Sequence, residues 1–315
     1  MSSHKQGSHV YGPVYSRRLG HSLGVDLIPP KVCSYDCLYC QLGRTTELAV
    51  DRLEFVRPKT VVAEVSQSLA RGTKPDYLTL SGSGEPTLHS GLGQVIRELK
   101  ASTSIPVAVL TNGSLLWQPD VRRAVGRADL VLPSLDAGDE AMFQRVNRPH
   151  RSLTFEMVVT CLEMFVDEYP GEVWLEVFLM NAVNADREQV VRIAECVNRI
   201  NPTRVQLNTV ARPPGRPGIT AVPSEQLRSL IELFGCPVDI IADHACSATG
   251  RSHVSSDSIV ALISRRPSTA RGIAEGLGIH INEVVKHLQT LQDEGRVSRI
   301  EQENEVFYTT QRMHG

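Results

Sequence analysis

Three cysteines, Cys33, Cys37 and Cys40, lie within eight residues of one another. Thiolate sulfur is the ligand that zinc and iron–sulfur clusters take most readily in proteins. A closed structural zinc site needs four ligands, and no fourth cysteine lies near these three. Three thiolates can instead hold three irons of a [4Fe–4S] cluster and leave the fourth iron open for chemistry. The spacing therefore predicts an iron–sulfur cluster with one open iron, with part of a zinc site or three buried, unligated thiols as the alternatives.

A second group with binding chemistry follows a short apolar run and contains Gly82, Ser83, Gly84 and Glu85. Glycine has no Cβ, so a ligand can approach its backbone closely. A carboxylate such as that of Glu85 binds a cationic amine through charge-assisted hydrogen bonds. The segment therefore predicts a small-molecule site, and an ordinary Gly-Pro turn is the alternative.

Strand-like and helix-like patterns alternate from residue 22 to residue 208. Strands are predicted at 22–28, 77–80, 106–110, 129–132, 173–179 and 204–208. Helices are predicted at 59–70, 92–100, 119–126, 139–145, 153–168 and 186–200. This alternation is typical of an α/β fold with a parallel sheet. Residues 1–10 are expected to form a loose polar tail, and residues 11–20 an irregular segment before the first strand.

Polar side chains follow the predicted strands at the point where each strand ends. Because the carboxyl ends of parallel strands meet at one end of a barrel, these side chains are expected to converge on one mouth. They are Cys33, Cys37, Cys40, Glu85, Asn112, Ser134, Asp136 and Asn208, with Glu176 a weaker candidate. Residues such as Asn112, Ser134 and Asp136 also form turns, which is the competing interpretation.

A Pro/Gly-rich loop at 211–221, a helix at 223–234 and a strand at 237–242 complete the first domain, which is predicted to span 1–245. Residues 246–256 are predicted to be a linker.

The sequence pattern changes after this linker. Helices at 258–264, 268–277 and 282–295, then a two-stranded wing at 297–300 and 306–308, make the 257–315 segment resemble a winged-helix domain. Its seven basic and eight acidic side chains, counted from 256, do not favour DNA binding. A role in protein interaction or substrate presentation, with an RNA or protein partner, is therefore expected equally with DNA binding.

Composition narrows the class of protein. Hydrophobic residues make up 41% and charged residues 22% of the 315, and the net charge is −2, as in ordinary globular proteins. No apolar run is long enough to span a membrane, and the first residues do not form a secretory signal. Cysteines clustered in one motif indicate a reducing cytoplasm. Cys161 and Cys196 are expected in the core, and a second cluster on Cys236 and Cys246 is improbable.

The C-x3-C-x2-C pattern, with Tyr39 before the last cysteine and Gly-Glu-Pro beginning at Gly84, resembles the radical S-adenosylmethionine (SAM) enzymes. The resemblance implies a partial (β/α)6 barrel with a small C-terminal winged-helix domain. It also implies a [4Fe–4S] cluster whose open iron is chelated by SAM. An electron from the reduced cluster then cleaves SAM to methionine and a 5′-deoxyadenosyl radical, which takes a hydrogen atom from the substrate. Flavodoxin or ferredoxin is the implied electron donor.

The same resemblance assigns roles to further residues. Tyr39 would lie beside the adenine, and the segment from Gly82 to Glu85 would bind the ammonium of SAM. Asn112, Ser134 and Asp136 would bind its ribose hydroxyls and carboxylate. Ser83 stands where the family has the first glycine of Gly-Gly-Glu-Pro.

Residues 10–210 look like a subgroup of radical SAM proteins grouped with the wyosine-base tRNA synthetases, which modify a methylguanosine of tRNA using pyruvate. Those enzymes carry a second cluster on cysteines upstream of the motif, whereas this chain has no cysteine before Cys33. Lys31 is the best-placed candidate for a pyruvate-binding lysine.

Basic residues around the predicted mouth suggest an anionic substrate, such as tRNA, because the planar guanidinium of arginine matches phosphate and carboxylate. They are Arg17, Arg18, Arg145, Arg148, His150, Arg151, Arg212 and Arg216. A solvated surface is the alternative.

The leading hypothesis is a radical SAM enzyme that acts on an anionic, tRNA-like substrate. The second is an iron–sulfur redox or metal-sensing regulator that acts through the winged helix, and a structural zinc protein is the third.

Overall fold

The computed structural model describes residues 8–212, 214, 216, 218–241, 255–302 and 305–310. The predicted linker at 246–256 therefore lies almost wholly outside the described residues, and so does Cys246.

Thirteen strands and ten helices are assigned in the described residues. The strands are β1 (Val10–Ser16), β2 (Gly20–Val25), β3 (Val32–Cys33), β4 (Glu47–Leu48), β5 (Tyr77–Leu80), β6 (Val107–Thr111), β7 (Leu130–Pro133), β8 (Glu172–Leu179), β9 (Arg204–Thr209), β10 (Val238–Ile240), β11 (Ser268–Thr269), β12 (Ser298–Gln302) and β13 (Glu305–Thr309). The helices are α1 (Pro58–Ala70), α2 (Leu92–Ser102), α3 (Pro119–Val125), α4 (Glu140–Val146), α5 (Phe155–Glu168), α6 (Arg187–Ile200), α7 (Ser224–Leu230), α8 (Ser256–Ile263), α9 (Ala270–Leu277) and α10 (Ile281–Asp293). Short 3-10 turns occupy Pro86–Leu88 and Ile231–Leu233.

Eight strands form one open sheet in the order β1-β2-β5-β6-β7-β8-β9-β10. Every neighbouring pair from β2 to β10 is parallel, and helices connect most of these strands. The predicted α/β fold with a partial parallel barrel is therefore confirmed. All six predicted barrel strands are present, and β10 follows as a seventh parallel strand.

The prediction of an irregular segment at residues 11–20 is wrong, because β1 pairs antiparallel with β2 from Val10 to Ser16. Residues 1–7 of the predicted tail lie outside the described residues. The register of β1 shifts between Tyr11 and Val14, where Gly12 has a φ of +104° and Pro13 cannot donate a ladder hydrogen bond. The Gly-Pro pair marks a bulge in an edge strand rather than a loop.

Helix starts follow their capping residues. The side chains of Asp139, Thr154 and Asp186 accept hydrogen bonds from backbone N–H groups in the first turns of α4, α5 and α6. The apolar face of α6 packs against the sheet through Val190, Ile193 and Val197. No helix in the described part of the chain is both long and apolar enough to cross a lipid bilayer.

The barrel strands alternate between two apolar layers. Along β7, Val131 faces the large cluster between sheet and helices, whereas Leu130 and Leu132 join a second, smaller cluster with Leu19 and Ala108. Leu19, from the turn between β1 and β2, thus packs with side chains of the barrel interior. Apolar side chains therefore fill the part of the barrel interior around Leu19. The polar side chains of the interior lie toward the carboxyl ends of the strands.

The C-terminal unit, defined here as the described residues from 255 to 310, contains α8, α9, α10 and the sheet β11-β13-β12. The predicted two-stranded wing is wrong in one respect, because Ser268 and Thr269 form a third strand against β13. The helix predicted at 268–277 accordingly begins at Ala270, with Thr269 as its N-cap.

The apolar core of the C-terminal unit includes one residue of the barrel sheet. Val14 of β1 is 6% exposed and packs in the same cluster as Ile259, Ile273 and Leu288. The unit therefore covers the edge strand β1, which would otherwise offer unpaired backbone groups to another chain.

We expect Val14→Ala to loosen this packing, because it removes methyl groups buried between the two parts of the chain. The loss is about 2 kcal/mol of packing free energy. Hydrogen exchange followed by mass spectrometry should show faster exchange in the C-terminal unit than in β5–β9. Val10→Ala is the control, since Val10 packs against the main barrel cluster instead. Equal loss of protection throughout the chain would contradict the assignment.

Candidate active site

The cysteine segment is a loop held in shape by its own side chains. Cys33 ends the short strand β3, which pairs in parallel with β4. The Asp36 carboxylate accepts a 2.8 Å hydrogen bond from the Thr45 backbone, and the Thr45 hydroxyl donates to the Tyr35 carbonyl at 2.7 Å. All three thiols are free and half-buried, as a ligand-binding group requires.

These thiols lie in a negative, desolvated environment. Burial raises the pKa of Cys33 to about 12, with a further contribution from the Glu85 carboxylate. Burial also raises the pKa of Cys37 well above its ordinary value, and Asp136 adds to the effect. The thiolate forms therefore need a strong positive charge beside them, which bound iron supplies.

Side-chain amides address two of the sulfurs. Asn112 Nδ2 donates to Cys33 Sγ at 3.7 Å, and Asn147 Nδ2 donates to Cys37 Sγ at 3.7 Å. Hydrogen bonds to ligating sulfur are one of the means by which proteins set the potential of an iron–sulfur cluster. Asn147 is the C-cap of α4. Nothing in the sequence distinguishes it from other C-cap residues, so its contact with Cys37 was not predicted.

The donor set fits a cluster better than a single ion. Among the described residues, no three His, Cys, Asp or Glu side chains lie close enough to share one metal ion. A mononuclear zinc needs its sulfurs about 2.3 Å from one point, whereas a [4Fe–4S] cluster spreads three thiolates over three separate irons. Three thiolates are sufficient for the cluster, whereas a closed zinc site requires a fourth ligand.

The glycine-rich loop after β5 is anchored by Asp26, a residue that directly follows β2. The Asp26 carboxylate accepts hydrogen bonds from the Ser83 hydroxyl at 2.6 Å and from the Ser83 backbone at 3.1 Å. Gly82 has a φ of +146°, and a Cβ there would lie 2.4 Å from Asp26 Cγ. The serine at position 83 thus has a structural use, since its hydroxyl fixes the loop to the first parallel strand.

Glu85 is buried and its carboxylate is fully engaged by the protein. One oxygen accepts from the Thr87 and Thr111 hydroxyls, each at 2.6 Å, and the other accepts from the Asn112 backbone at 2.7 Å. Burial raises the pKa of Glu85, and these donors oppose the shift. The carboxylate therefore ties the glycine-rich loop to the end of β6. The sequence predicted a ligand-binding role for Glu85 but not this tie.

Tyr39 and Asp136 form a second buried connection. The Tyr39 hydroxyl donates to Asp136 at 2.5 Å, and the Tyr39 ring stacks on Phe178 at 4.1 Å between centroids. Asn147 Nδ2 and the Phe178 backbone also donate to the Asp136 carboxylate, at 2.8 and 3.0 Å. Burial raises the pKa of Asp136 to about 6 in spite of these donors.

Other predicted mouth residues lie next to this connection. Asn208 Nδ2 donates to Glu176 at 2.8 Å, and Arg18 forms an ion pair with the same carboxylate. Ser134 is bridged to Glu176 by backbone pairing, and its hydroxyl makes no hydrogen bond to the described part of the chain. The structure therefore brings the polar residues at the ends of β6, β7, β8 and β9 together, as the sequence predicts.

The predicted substrate residues separate into different places. Lys31 and Arg216 lie beside the cysteine loop, where burial raises the pKa of Cys40 and the positive charges of Lys31 and Arg216 oppose that shift. Arg216 pairs with Asp36, and the Lys31 backbone, at a φ of +65°, donates to the Ser83 carbonyl at 2.8 Å. Arg148 is half-buried next to Asn147, and Arg212 lies elsewhere, near Arg17 and Arg18. The four do not form one group.

Two further cysteine predictions are confirmed, since Cys161 and Cys196 are buried in the core. Cys236 is half-buried, and its proposed companion Cys246 lies outside the described residues.

Comparison with known proteins agrees with this site. The family model of the Radical SAM superfamily matches residues 27–194, which include the cysteine loop, the glycine-rich loop and Asp136. The chain belongs to the radical SAM superfamily. Its cofactors are accordingly a [4Fe–4S] cluster and SAM, as predicted from the motif.

Relatives of this radical SAM protein align with it over most of its length. It is 33% identical to a UPF0026 protein of Methanocaldococcus jannaschii over 309 residues, which cover 95% of each chain. It is also 36% identical, over 91% of its length, to a Brachyspira hyodysenteriae protein named GTPase Obg, but it spans only 43% of that longer chain. Among solved structures, Streptococcus suis SuiB bound to SAM has a similar fold, with a TM-score of 0.52 and 14% identity over 71% of this chain and 50% of SuiB.

Gly84 tests the glycine-rich loop. A Cβ at this position would lie 2.1 Å from the Val32 carbonyl oxygen, so Gly84→Ala must displace the loop from β3. We expect at least tenfold weaker SAM binding, equivalent to about 1.4 kcal/mol, and less iron retained after reconstitution. Gly272→Ala is the control, because its Cβ would meet only Thr269 Oγ1 at 3.3 Å. Unchanged SAM affinity and iron content in Gly84→Ala would contradict the role of this loop.

Asp136 predicts a pH dependence of stability in the protein purified without iron. The folded chain holds the Asp136 proton up to a pKa of about 6, against an ordinary value of 3.8, so between these values the unfolded chain binds fewer protons. The free energy of unfolding then decreases as pH rises. Relative to Asp136→Asn, the wild-type protein should lose about 1 kcal/mol between roughly pH 5 and pH 7 in urea titrations.

Asp139→Asn serves as the control for this titration. Hydrogen bonds from the α4 backbone lower the pKa of Asp139, so its contribution is complete at lower pH. The difference between wild type and Asp139→Asn should be flat over the same range. A flat difference for Asp136→Asn would show that this carboxyl titrates normally.

Proposed function

We propose that this chain is an enzyme that uses its cluster and SAM to take a hydrogen atom from an anionic substrate, such as tRNA. The cofactors supply the chemistry: one electron from the reduced cluster cleaves SAM to methionine and a 5′-deoxyadenosyl radical, which becomes 5′-deoxyadenosine on taking the hydrogen. A flavodoxin or ferredoxin is the proposed electron donor. The protein's part is to bind, orient and exclude water.

The observation that supports the proposal most is that the three half-buried thiols lie next to a glycine-rich loop, in which a Cβ at Gly82 or Gly84 would clash with neighbouring atoms. Cys33, Cys37 and Cys40 would each hold one iron, and Asn112 and Asn147 donate to two of the sulfurs. The backbone from Gly82 to Gly84 runs beside β3, which places peptide groups next to the cysteine loop. Because the Glu85 carboxylate is already engaged, we propose that backbone carbonyls of this loop bind the SAM ammonium.

The remaining residues predicted to bind SAM differ in whether their polar groups already make hydrogen bonds within the described part of the chain. The Ser134 hydroxyl has no acceptor among the described residues and is the best-placed group for a ribose hydroxyl or carboxylate of SAM. Asp136 and Tyr39 bind each other, and the Tyr39 ring is covered on one face by Phe178. Their proposed role is to form a rigid wall for the adenine, which leaves Tyr39 backbone and ring edge for contact.

A tRNA-like substrate is proposed from charge, not from the relatives. We propose that the C-terminal unit contacts an RNA or protein partner; the near-neutral charge of residues 256–315 does not favour DNA binding.

Measurement of 5′-deoxyadenosine tests the proposed chemistry. The anaerobically reconstituted protein is reduced with dithionite and incubated with SAM, with and without bulk tRNA. We expect product from the wild type and a loss of at least a hundredfold in Cys37→Ala, because one iron loses its ligand. Cys161→Ala, which changes a buried cysteine of α5, should retain product.

The alternatives give different results in the same assay. A stable cluster that yields no 5′-deoxyadenosine with or without tRNA would favour a sensor over an enzyme. Bound zinc without a cluster, or equal product from wild type and Cys37→Ala, would overturn the proposal.

A further inference from the structure

Four arginines from three distant parts of the sequence lie near one another at the edges of the main sheet. They are Arg17 and Arg18 after β1, Arg212 after β9, and Arg266 after α8 of the C-terminal unit. We call them the arginine cluster. Their mutual proximity shows in their electrostatics, since the charges of Arg266, Arg17 and Arg18 all act on Arg212.

The cluster occupies the seam between the two edge strands of the sheet. Arg17 Nη1 donates to the Ile241 carbonyl at 3.3 Å, and these residues directly follow β1 and β10 respectively. Arg17 therefore connects the two edges that the open barrel leaves unpaired.

The seam is continuous with the candidate active site. Arg18 pairs with Glu176, which also accepts from Asn208 and lies close enough to Asp136 to help raise the pKa of that carboxyl. Asp136 in turn binds Tyr39 of the cysteine loop. A ligand held at the seam would thus extend toward the residues that surround the cofactors.

Among the described residues, the positive charge of the cluster exceeds the negative charge that is paired with it. Glu176 is the carboxylate paired with the cluster in the described residues, and it is already shared by Arg18 and Asn208. Neither Arg212 nor Arg266 donates a side-chain hydrogen bond to the described part of the chain, and Arg266 Nε is buried without a partner. Buried donors without acceptors are costly, so an acceptor that does not belong to the described residues is expected here.

Electrostatics agree with this picture. Burial and the neighbouring arginines lower the pKa of Arg17 to about 10 and that of Arg212 well below its ordinary value. Burial also lowers the pKa of Arg266. All three shifts would be relieved by an anion bound among the guanidinium groups.

The adjacent Arg265 holds this part of the C-terminal unit against the barrel. Its guanidinium lies 4.4 Å from the centre of the Tyr11 ring and 3.5 Å from Asp26 Oδ2, and Nη2 donates to the Ser8 carbonyl at 3.0 Å. Arg266 is therefore carried by a fixed turn. An arginine on an open surface would lack the contacts that Arg265 makes with Tyr11, Asp26 and Ser8.

From these contacts we propose that the arginine cluster binds a phosphate group of the substrate, and that the C-terminal unit completes this site by supplying Arg266. The proposal rests on the proposed function, of which it specifies the substrate class. Among the described residues, one carboxylate is paired with the four arginines, so the described charges leave three positive charges, more than a single carboxylate ligand can match. A phosphate dianion or a run of phosphates offers several acceptor oxygens around one centre and suits arginine forks on different chain segments.

Binding of phosphate compounds by the intact, reconstituted protein tests this inference without any turnover. The probes are inorganic pyrophosphate, GTP as a nucleotide, and bulk tRNA, measured by calorimetry or filter binding at two salt concentrations. We expect Arg266→Gln to weaken binding of at least one probe tenfold or more and to reduce its salt dependence. Arg271→Gln, an exposed arginine of the same unit, is the matched control and should bind like the wild type. Arg266→Lys should restore part of the loss, because it restores the charge.

The three probes distinguish the source of the phosphate. Arg266-dependent binding of tRNA alone would identify a polynucleotide, and Arg266-dependent binding of GTP or pyrophosphate would identify a small phosphorylated substrate; either result supports the site. Equal binding of all probes by Arg266→Gln and Arg271→Gln would overturn the inference. Absence of 5′-deoxyadenosine with Arg266-dependent binding would instead count against the proposed chemistry alone.

Discussion

The carboxylate of Asp26 joins three parts of this molecule at one point. It follows the first parallel strand, accepts two hydrogen bonds from Ser83 in the glycine-rich loop, and faces Arg265 of the C-terminal unit. Asp26 is 6% exposed, so this interaction is weakly screened by solvent. The position of the loop beside the cysteines, and of the C-terminal unit beside the seam, both depend on it.

Charge inside the barrel is divided between two regions. Glu85 and Asp136 make the surroundings of the cysteines negative, which disfavours free thiolates and favours a bound cation. The arginine cluster makes the seam positive. Glu176 and Arg18 form the boundary between them, where the two charges meet in an ion pair. Such a division orients a ligand that carries an anionic group at one end, because its charged end is repelled from the cysteine side.

Much of the fold followed from local pattern. The strands β5 to β9 were predicted within about two residues, because each is a short apolar run bounded by turn residues and followed by an amphipathic helix. The edge strand β1 was missed because its alternation is interrupted by Gly12 and Pro13, and β11 was missed because two residues carry no periodicity. Pairing with β2 and β13 creates these strands, and pairing is not visible in a local window.

The site was predictable where a motif carried it and not where contacts between distant residues made it. The cysteines and the glycine-rich loop follow from spacing alone. The hydrogen bond between Ser83 and Asp26 joins residues that are 57 positions apart, and the one between Asn147 and Cys37 joins residues that are 110 positions apart. Neither contact is visible in a local stretch of sequence. Asp26 could have been suspected, since it is a polar residue at the end of a strand like the others. Arg266 could not, because it lies in a segment whose sequence suggests only a helix end.

The packing of β1 against the C-terminal unit has a consequence for how the chain folds. Arg17 and Arg266 belong to the same cluster although about four-fifths of the sequence separates them, and contacts of such long range form late because their loop entropy must be overcome first. During synthesis the cysteine loop and its barrel can assemble while β1 is still uncovered. The seam would then be finished only after the C-terminal unit has been synthesised, so that a chain interrupted before this unit could bind the cofactors yet would lack Arg266.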